Sequence, residues 1–164
     1  MDPFELRDLR RDDARDLEAL RRMASEVVAA GAMFVYEDVE EVLGYWLDPR
    51  GRCTVAQDER GVVAGTHVVK PNQAGRGGHV ANAGYMVAEE FRGRGLGRRL
   101  GAHSLEVARA LGYRAMQYNF VVASNRSALA LWEGLGFRVV GTLPAAFRHD
   151  ELGLVDAHVM YREL

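Results

Sequence analysis

The chain predicts an α+β domain, a central and mostly antiparallel sheet of about seven strands flanked by about four helices. Three observations carry this expectation. Segments whose apolar residues alternate at every second position outnumber segments with a helical period. Two adjacent alternating segments, Arg52–Gln57 and Gly61–Lys70, are joined by the hairpin signal Asp58-Glu59-Arg60-Gly61. Strands and helices also follow one another in mixed order rather than in strict alternation.

Each element follows from its local pattern. Phe4 to Arg10 alternates as a short strand, and Asp12-Asp13 then cap a helix whose apolar stripe is Leu17, Leu20, Ala24, Val27 and Val28. Asp38, with Glu41 three residues on, starts a second helix carrying Val39, Val42, Leu43, Trp46 and Leu47, with Pro49 beyond its end. After the hairpin, Pro71 to Gly78 holds three glycines and reads as a mobile loop. His79 to Val87 is the next strand, and Leu96 to Leu111 is a helix with Leu96, Leu100, Val107 and Leu111 as its buried stripe, stopped by Gly112. Arg114 to Val122 is a strand that runs parallel to His79–Val87, because a helix crosses over between them. Asn125 caps a short helix with Ala128, Leu131, Trp132 and Leu135 on one face, ended by Gly136. Arg138–Thr142 and Val155–Tyr161 close the order as two strands, with a loop through Pro144 and Phe147.

Composition bounds the function. A length of 164 residues suits one domain, 1–164, that needs no covalent staple. A net charge of −2 argues against a nucleic-acid partner, and the single cysteine, Cys53, excludes an intramolecular disulfide and suits a reducing compartment. No segment has the length and apolarity of a membrane span, and the charged N-terminus does not read as a signal peptide, so a cytoplasmic location is expected. No metal site is expected.

The most informative stretch is Arg92-Gly93-Arg94-Gly95-Leu96-Gly97, between a strand and a helix. Glycines at alternate positions leave backbone N–H groups uncovered, so that several can point at one anion at the helix N-terminus. Arg92, Arg94, Arg98 and Arg99 add forked positive donors suited to phosphate oxygens. A nucleoside-triphosphate loop is excluded because the only lysine is the distant Lys70. A dinucleotide turn is excluded because its third glycine would fall at Leu100.

The spacing R-x-x-G-x-G, as Arg92, Gly95 and Gly97, resembles the pyrophosphate-binding signature of the GNAT superfamily of acyl-CoA-dependent N-acetyltransferases. Asn125-Arg126-Ser127-Ala128-Leu129-Ala130-Leu131-Trp132-Glu133-Gly134-Leu135-Gly136-Phe137 resembles a second motif block of that family, N-x-x-A-x-x-L-[YW]-x-x-x-G-F, in the right order. The resemblance spans roughly residues 52 to 162. It implies the same mixed sheet, with the fourth and fifth strands splayed so that the pantetheine arm of acetyl-CoA lies between them. By position, the backbone of Met86 and Val87 would pair with the pantetheine, and Arg92, Gly93, Arg94, Gly95, Leu96, Gly97 and Arg98 would hold the pyrophosphate. Asn125 would approach from the other side, with Ala128 and Trp132 near the thioester. Each also has a structural role open to it: Asn125 as a helix cap, Met86 and Val87 as buried strand residues.

Many family members carry a tyrosine, the acid for the leaving thiolate, where Trp132 stands; an indole N–H cannot supply that proton. His79–Tyr85 and Tyr118–Asn125, together with Trp132, resemble more narrowly the branch that acetylates proline analogues such as azetidine-2-carboxylate. That likeness implies that Asn82 binds a substrate carboxylate and that Asn119, with the Phe120 N–H, stabilises the oxyanion, with Tyr36 beside the acceptor. Two strand asparagines could equally satisfy backbone groups at a bulge. For the general base the candidates are His79, Glu37 and Asp38; His103 reads as a packed residue, His149-Asp150 as solvated charge, and His67 and His158 carry no neighbouring signal. Cys53 lacks a base at family-like spacing and is not a nucleophile. The resemblance thus implies transfer of acetyl from acetyl-CoA to a small-molecule amine, an amino acid or its analogue included, by direct attack. A non-catalytic acyl-CoA sensor, and peptide or aminoglycoside acceptors, remain as alternatives. Homodimers are frequent in the family.

Overall fold

The computed structural model describes residues 3–31 and 36–164. Its strands are β1 (Phe4–Asp8), β2 (Arg52–Asp58), β3 (Val63–Pro71), β4 (Val80–Val87), β5 (Ala115–Val122), β6 (Arg138–His149) and β7 (Gly153–Glu163). Its α-helices are α1 (Ala14–Ala30), α2 (Val39–Trp46), α3 (Leu96–Ala110) and α4 (Arg126–Gly134). The strands form one sheet in the order β1-β2-β3-β4-β5-β7-β6, and every neighbouring pair is antiparallel except β4 and β5. This is the α+β architecture expected, with the single parallel pair where helix α3 crosses over.

The helix starts obey local capping chemistry. Asp13 accepts from the Arg15 N–H, Asp38 from those of Glu40 and Glu41, and Asn125 from that of Ala128. The two faces of the sheet are covered by different helices. A Cβ on Gly84 would point at Trp46 and Tyr45 of α2, whereas one on Gly65 would point at Leu96 and Leu100 of α3. Leu20, Met23, Val27 and Trp46 pack with Val55, Val68 and Met86 in one cluster. Leu105, Ala108 and Leu129 pack with Val69, Ala81, Met116, Tyr118 and Met160 in the other.

Three expectations are corrected. Leu111 is 46% exposed, because α3 ends at Ala110 and the inward stripe runs instead through Leu100, Gly101, Ser104, Leu105 and Ala108. The segment through Pro144 and Phe147 is strand rather than loop: β6 continues past a bulge in which residues 144–146 oppose Asp156 alone, with Ala145 at φ 52 and its N–H bonded to the Asp156 carboxylate at 2.9 Å. Proline is tolerated there because β6 is an edge strand and owes no partner a hydrogen bond on its outer side. Pro71, expected in the loop, ends β3 instead, and the connection from Asn72 to His79 makes one helical turn at Gly75–Gly77.

Periodicity also gave no sign of Asp16, a carboxylate on α1 that is only 1% exposed. Arg7 of β1 grips it with both terminal guanidinium nitrogens at 2.7 Å, and the Arg10 N–H adds a third bond at 2.9 Å. The fork ties α1 to the sheet edge and holds the Asp16 carboxyl below the usual carboxylate range, the Arg7 hydrogen bonds being the main cause. Asp16→Ala would leave the partly buried Arg7 guanidinium only Gln57 and the Asp8 carbonyl as partners and is expected to cost about 2 kcal/mol. A group with a depressed folded pKa stabilises fully above its unfolded pKa of about 4 and loses that contribution as pH falls through the lower folded value. Urea unfolding of both proteins should therefore show a gap at pH 7 that narrows below about pH 4.

Candidate functional site

The two central strands part almost as soon as they meet. β4 and β5 share only the pairs Val80↔Ala115 and Ala81↔Met116; β4 then stays with β3 through Val87 and β5 with β7 through Val122. Beyond the fork lies a cleft of about 370 Å³. It brings together Tyr36, Asn82, Asn119, Phe120, Asn125, Ala128 and Trp132, all expected at the site, with Tyr45, Gly84, Tyr85, Tyr118, Val121 and Val122. Met86 lies buried on β4 just past it, and the Val87 carbonyl receives the Arg92 Nε at 3.2 Å.

At the end of β4 the chain makes a short helical turn, Glu89–Phe91, and enters the glycine segment. Gly93 and Gly95 have φ of 75 and 78, a region that L side chains avoid, and a Cβ on either would meet nothing within 4 Å. Glycine is needed here for the backbone path and not for packing space. Helix α3 starts from Gly95 with no side-chain cap, and Leu96 is buried as its anchor. Arg92 and Arg94 bend back onto the carbonyls of Val87 and Glu90, leaving the turn uncovered, while Arg98 is exposed beside it. Open amides, a helix N-terminus and guanidinium groups suit a phosphorylated ligand.

The floor of the cleft is a hydroxyl chain that spacing did not reveal. Tyr85 of β4 and Tyr118 of β5 meet at 2.7 Å, Tyr85 meets Ser104 of α3 at 2.7 Å, and Ser104 donates to the Gly101 carbonyl at 2.7 Å. Ser104 spends its proton on that carbonyl, so it accepts from Tyr85, which in turn accepts from Tyr118. A row of side chains thus replaces the missing backbone ladder between β4 and β5. Burial pushes the Tyr85 hydroxyl up to about 12 and the Tyr118 hydroxyl well above its usual value, so both stay protonated. Trp132 lies over both rings, with centroids 4.7 and 4.9 Å away. Its position depends on Gly101, where a Cβ would come within 2.6 Å of Leu135 and 3.0 Å of Trp132. The clue in the sequence was the placing of Tyr85 and Tyr118 within the two strands already singled out.

The remaining candidates divide between the cleft and the packed parts of the fold. The Asn119 amide is engaged at both ends, accepting from Gln117 at 2.9 Å and donating to Asn72 at 2.7 Å, which ties β5 to the loop after β3. Phe120 shares a bulge with Asn119: Tyr118 pairs with Met160 and Val121 with His158, so the two oppose Val159 alone. The backbone bulges at these two residues, while the Asn119 side chain is held by Gln117 and Asn72. Asn82 accepts from the Ala83 N–H at 2.8 Å, which leaves its NH₂ as a donor. His79 is not brought to the cleft; it is exposed at the closed end of the fork and bonded to the Arg76 carbonyl. Asp38 is occupied in capping α2. His103 is partly buried and bonds the fully buried His67 at 2.8 Å, and His149 accepts from the Glu151 and Leu152 N–H groups rather than pairing with Asp150. Cys53 is buried, its thiol pushed up to about 11 by burial, which suits packing and not attack. Among the described residues no group of three or more His, Cys, Asp or Glu could hold a metal ion, and no helix is long and apolar enough to cross a membrane.

Comparison with known proteins agrees with this geometry. Residues 8–137 match the model of the Acetyltransferase (GNAT) family. The chain belongs to that family. Acetyl-CoA is the family's acyl donor. A GCN5-related N-acetyltransferase from Kribbella flavida superposes with a TM-score of 0.91 at 40% identity, covering 99% of this chain and 98% of that one. A GNAT phosphinothricin acetyltransferase from Sinorhizobium meliloti, solved in complex with AcCoA, has a TM-score of 0.84 at 25% identity, over 99% and 89% of the two chains. The N-acetyltransferase aca1 of Schizosaccharomyces pombe is 34% identical over 110 residues, 65% of this chain, which spans only 52% of that relative's length.

The hydroxyl chain is open to a direct check. Tyr118→Phe leaves the Tyr85 oxygen without its donor and should cost about 1 to 2 kcal/mol in urea unfolding. Tyr118→Phe combined with Ser104→Ala should cost less than the sum of the single changes, because the three hydroxyls act as one network.

Proposed function

We propose that this protein transfers the acetyl group of acetyl-CoA to the amine of a small molecule. The observation that carries the reading is the fork between β4 and β5, an apolar gap that opens beside an uncovered glycine turn. When bound, acetyl-CoA supplies an activated acetyl thioester. The turn from Arg92 to Arg98 would hold its diphosphate, the open edges of Met86 and Val87 would align the pantetheine, and Ala128 and Trp132 would close over the thioester end. Asn125, already the cap of α4, would line the same arm.

The acceptor would enter from the face covered by α2, between Tyr36, Tyr45 and Asn82. The Asn82 NH₂ suits a carboxylate on the acceptor, and an amino acid or analogue would supply one; the likeness to a protein named as a phosphinothricin acetyltransferase supports a small acceptor. The amine nitrogen forms the C–N bond as the C–S bond breaks, the sulfur leaves with the electron pair, and the proton lost from nitrogen balances the thiol. Backbone N–H groups at the Asn119–Phe120 bulge are the donors for the oxyanion.

A second reading, an acyl-CoA-binding module without turnover, is favoured by one observation: Trp132 stands where a hydroxyl acid would be, and the hydroxyls below it are spent on one another. Thiol release from acetyl-CoA across a panel of amines separates the two; tight binding with no release would favour the sensor. Under the catalytic reading, Gly95→Ala strains the turn by about 1 to 2 kcal/mol and should raise the KM for acetyl-CoA about tenfold with little change in kcat. Asn82→Ala should raise the acceptor KM about tenfold and leave acetyl-CoA affinity unchanged. An equal loss in both affinities would contradict the role given to Asn82.

A further inference from the structure

We propose that the acceptor is bound and attacked as the uncharged amine, so that the substrates of this cleft are weakly basic amines with an appreciable neutral fraction near neutral pH. The inference rests on the acetyltransferase reading above and names its substrate class.

The ground for it is the chemistry of the lining. Among the described residues, none of the fourteen around the cleft is Asp, Glu, His, Lys or Arg. Its titratable side chains are Tyr36, Tyr45, Tyr85 and Tyr118, and burial keeps each of the four protonated. None is a base near neutral pH, and none is an anion that could pair with an ammonium. The segment 32–35, which precedes Tyr36, is Ala-Met-Phe-Val and carries no titratable side chain in its sequence.

The charged groups behind the lining do not reverse this. From β3, the Lys70 ammonium sits 3.6 Å from the Tyr45 ring centroid, and Asp48 beside it is held by Lys70 at 3.4 Å and by Arg50 at 2.8 Å. At the start of α2, Glu37 is exposed and outside the lining, Asp38 caps the helix, Glu40 pairs with Arg21, and Glu41 is the carboxylate felt by Tyr36. On β7, Arg162 bonds the Leu135 carbonyl and lies toward Tyr118, and His158, paired with Val121, is outside the lining and bonded to the Thr142 hydroxyl. On α4, Arg126 and Glu133 are exposed, and behind Tyr85 the buried His67 is bonded to His103. His67 is pushed down to about 3, chiefly by burial, and stays neutral. An ammonium entering the cleft would lose its water for no opposite charge, and the flanking Lys70 and Arg162 would repel it.

Shedding the proton in solution is the cheaper route only if the amine is weakly basic. At pH 7 the neutral fraction falls tenfold for each unit of amine pKa above 7: about one-tenth for a peptide-like α-amino group near 8, less for a free amino acid whose own carboxylate raises it, and below about one-thousandth for a lysine-like amine near 10.4. The neutral nitrogen then donates its lone pair to the carbonyl carbon. Its surplus proton passes to water, and the departing sulfur takes one up from water, so that amine and thioester become amide and thiol with no enzyme group changing its charge.

The test uses the whole chain with n-propylamine, benzylamine, glycinamide and trifluoroethylamine, a series of falling basicity. Thiol release, as kcat/KM against pH, should rise tenfold per pH unit and level off at a pH that moves with the acceptor. Calorimetric titration of each amine into the CoA complex, in two buffers of different ionisation enthalpy, should register one proton released per amine bound below the amine's pKa. An inflection fixed at one pH for all acceptors would reveal an enzyme base and overturn the proposal, as would binding without proton release. Absence of thiol release with every amine at every pH would instead overturn the acetyltransferase reading and this inference with it.

Discussion

The geometry of this protein depends on where one ladder stops. β4 and β5 are paired through Ala81 and Met116 and nowhere further, while β4 stays paired with β3, and β5 with β7 on either side of its bulge. Because the outer ladders are antiparallel and long, they hold the two halves of the sheet firmly, and the inner parallel pair is the joint that yields. Unpaired strand edges inside a fold are costly unless something satisfies or covers them. Here tyrosine and serine hydroxyls bridge the gap on one face, and on the other the rings of Tyr45 and Trp46 rest against Gly84. The opening is thereby a built feature with a set width.

The electrostatic character of the opening follows from the same arrangement. Charged side chains of this molecule pair at its rim and outer surfaces: Arg7 with Asp16, Arg50 and Lys70 with Asp48, Arg52 with Asp8. The cleft itself holds rings, amides and methyl groups. In such surroundings an uncompensated ion is expensive and a neutral nucleophile is not. The glycine turn is the counterpart, an electropositive backbone surface at the edge of the same gap, suited to a ligand with a charged end and a neutral arm.

Trp132 links these parts. It is carried by α4, covers the rings of Tyr85 and Tyr118, and packs where α3 offers Gly101 in place of a side chain. A tyrosine at that position could present a hydroxyl; the indole presents area. The hydroxyls of this region lie one layer deeper, and their donor sequence ends on the Gly101 carbonyl, so they serve the width of the cleft.

Local chemistry was legible in the residues alone. The caps Asp13, Asp38 and Asn125, the hairpin at Asp58, the crossover that makes β4 and β5 parallel and the glycine turn all depend on near neighbours in the chain, and each could be read from spacing. Contacts between distant segments could not. The Arg7–Asp16 fork and the Tyr85–Tyr118–Ser104 chain join residues from different elements, and no period encodes them. The same holds for the surroundings of His79 and Asn119: one sits at the closed end of the fork, and the other lines the cleft with its amide tied to Asn72. Leu111 matched the helical period but lay one residue past the helix, and β6 ran through a proline because an edge strand permits it. Sequence alone thus determined the elements, their order and the phosphate-suited turn, since these arise from backbone conformation and near-neighbour hydrogen bonds. Tertiary structure alone decided which side chains face one another across the fork, because that depends on where a ladder ends and what fills the space beyond it.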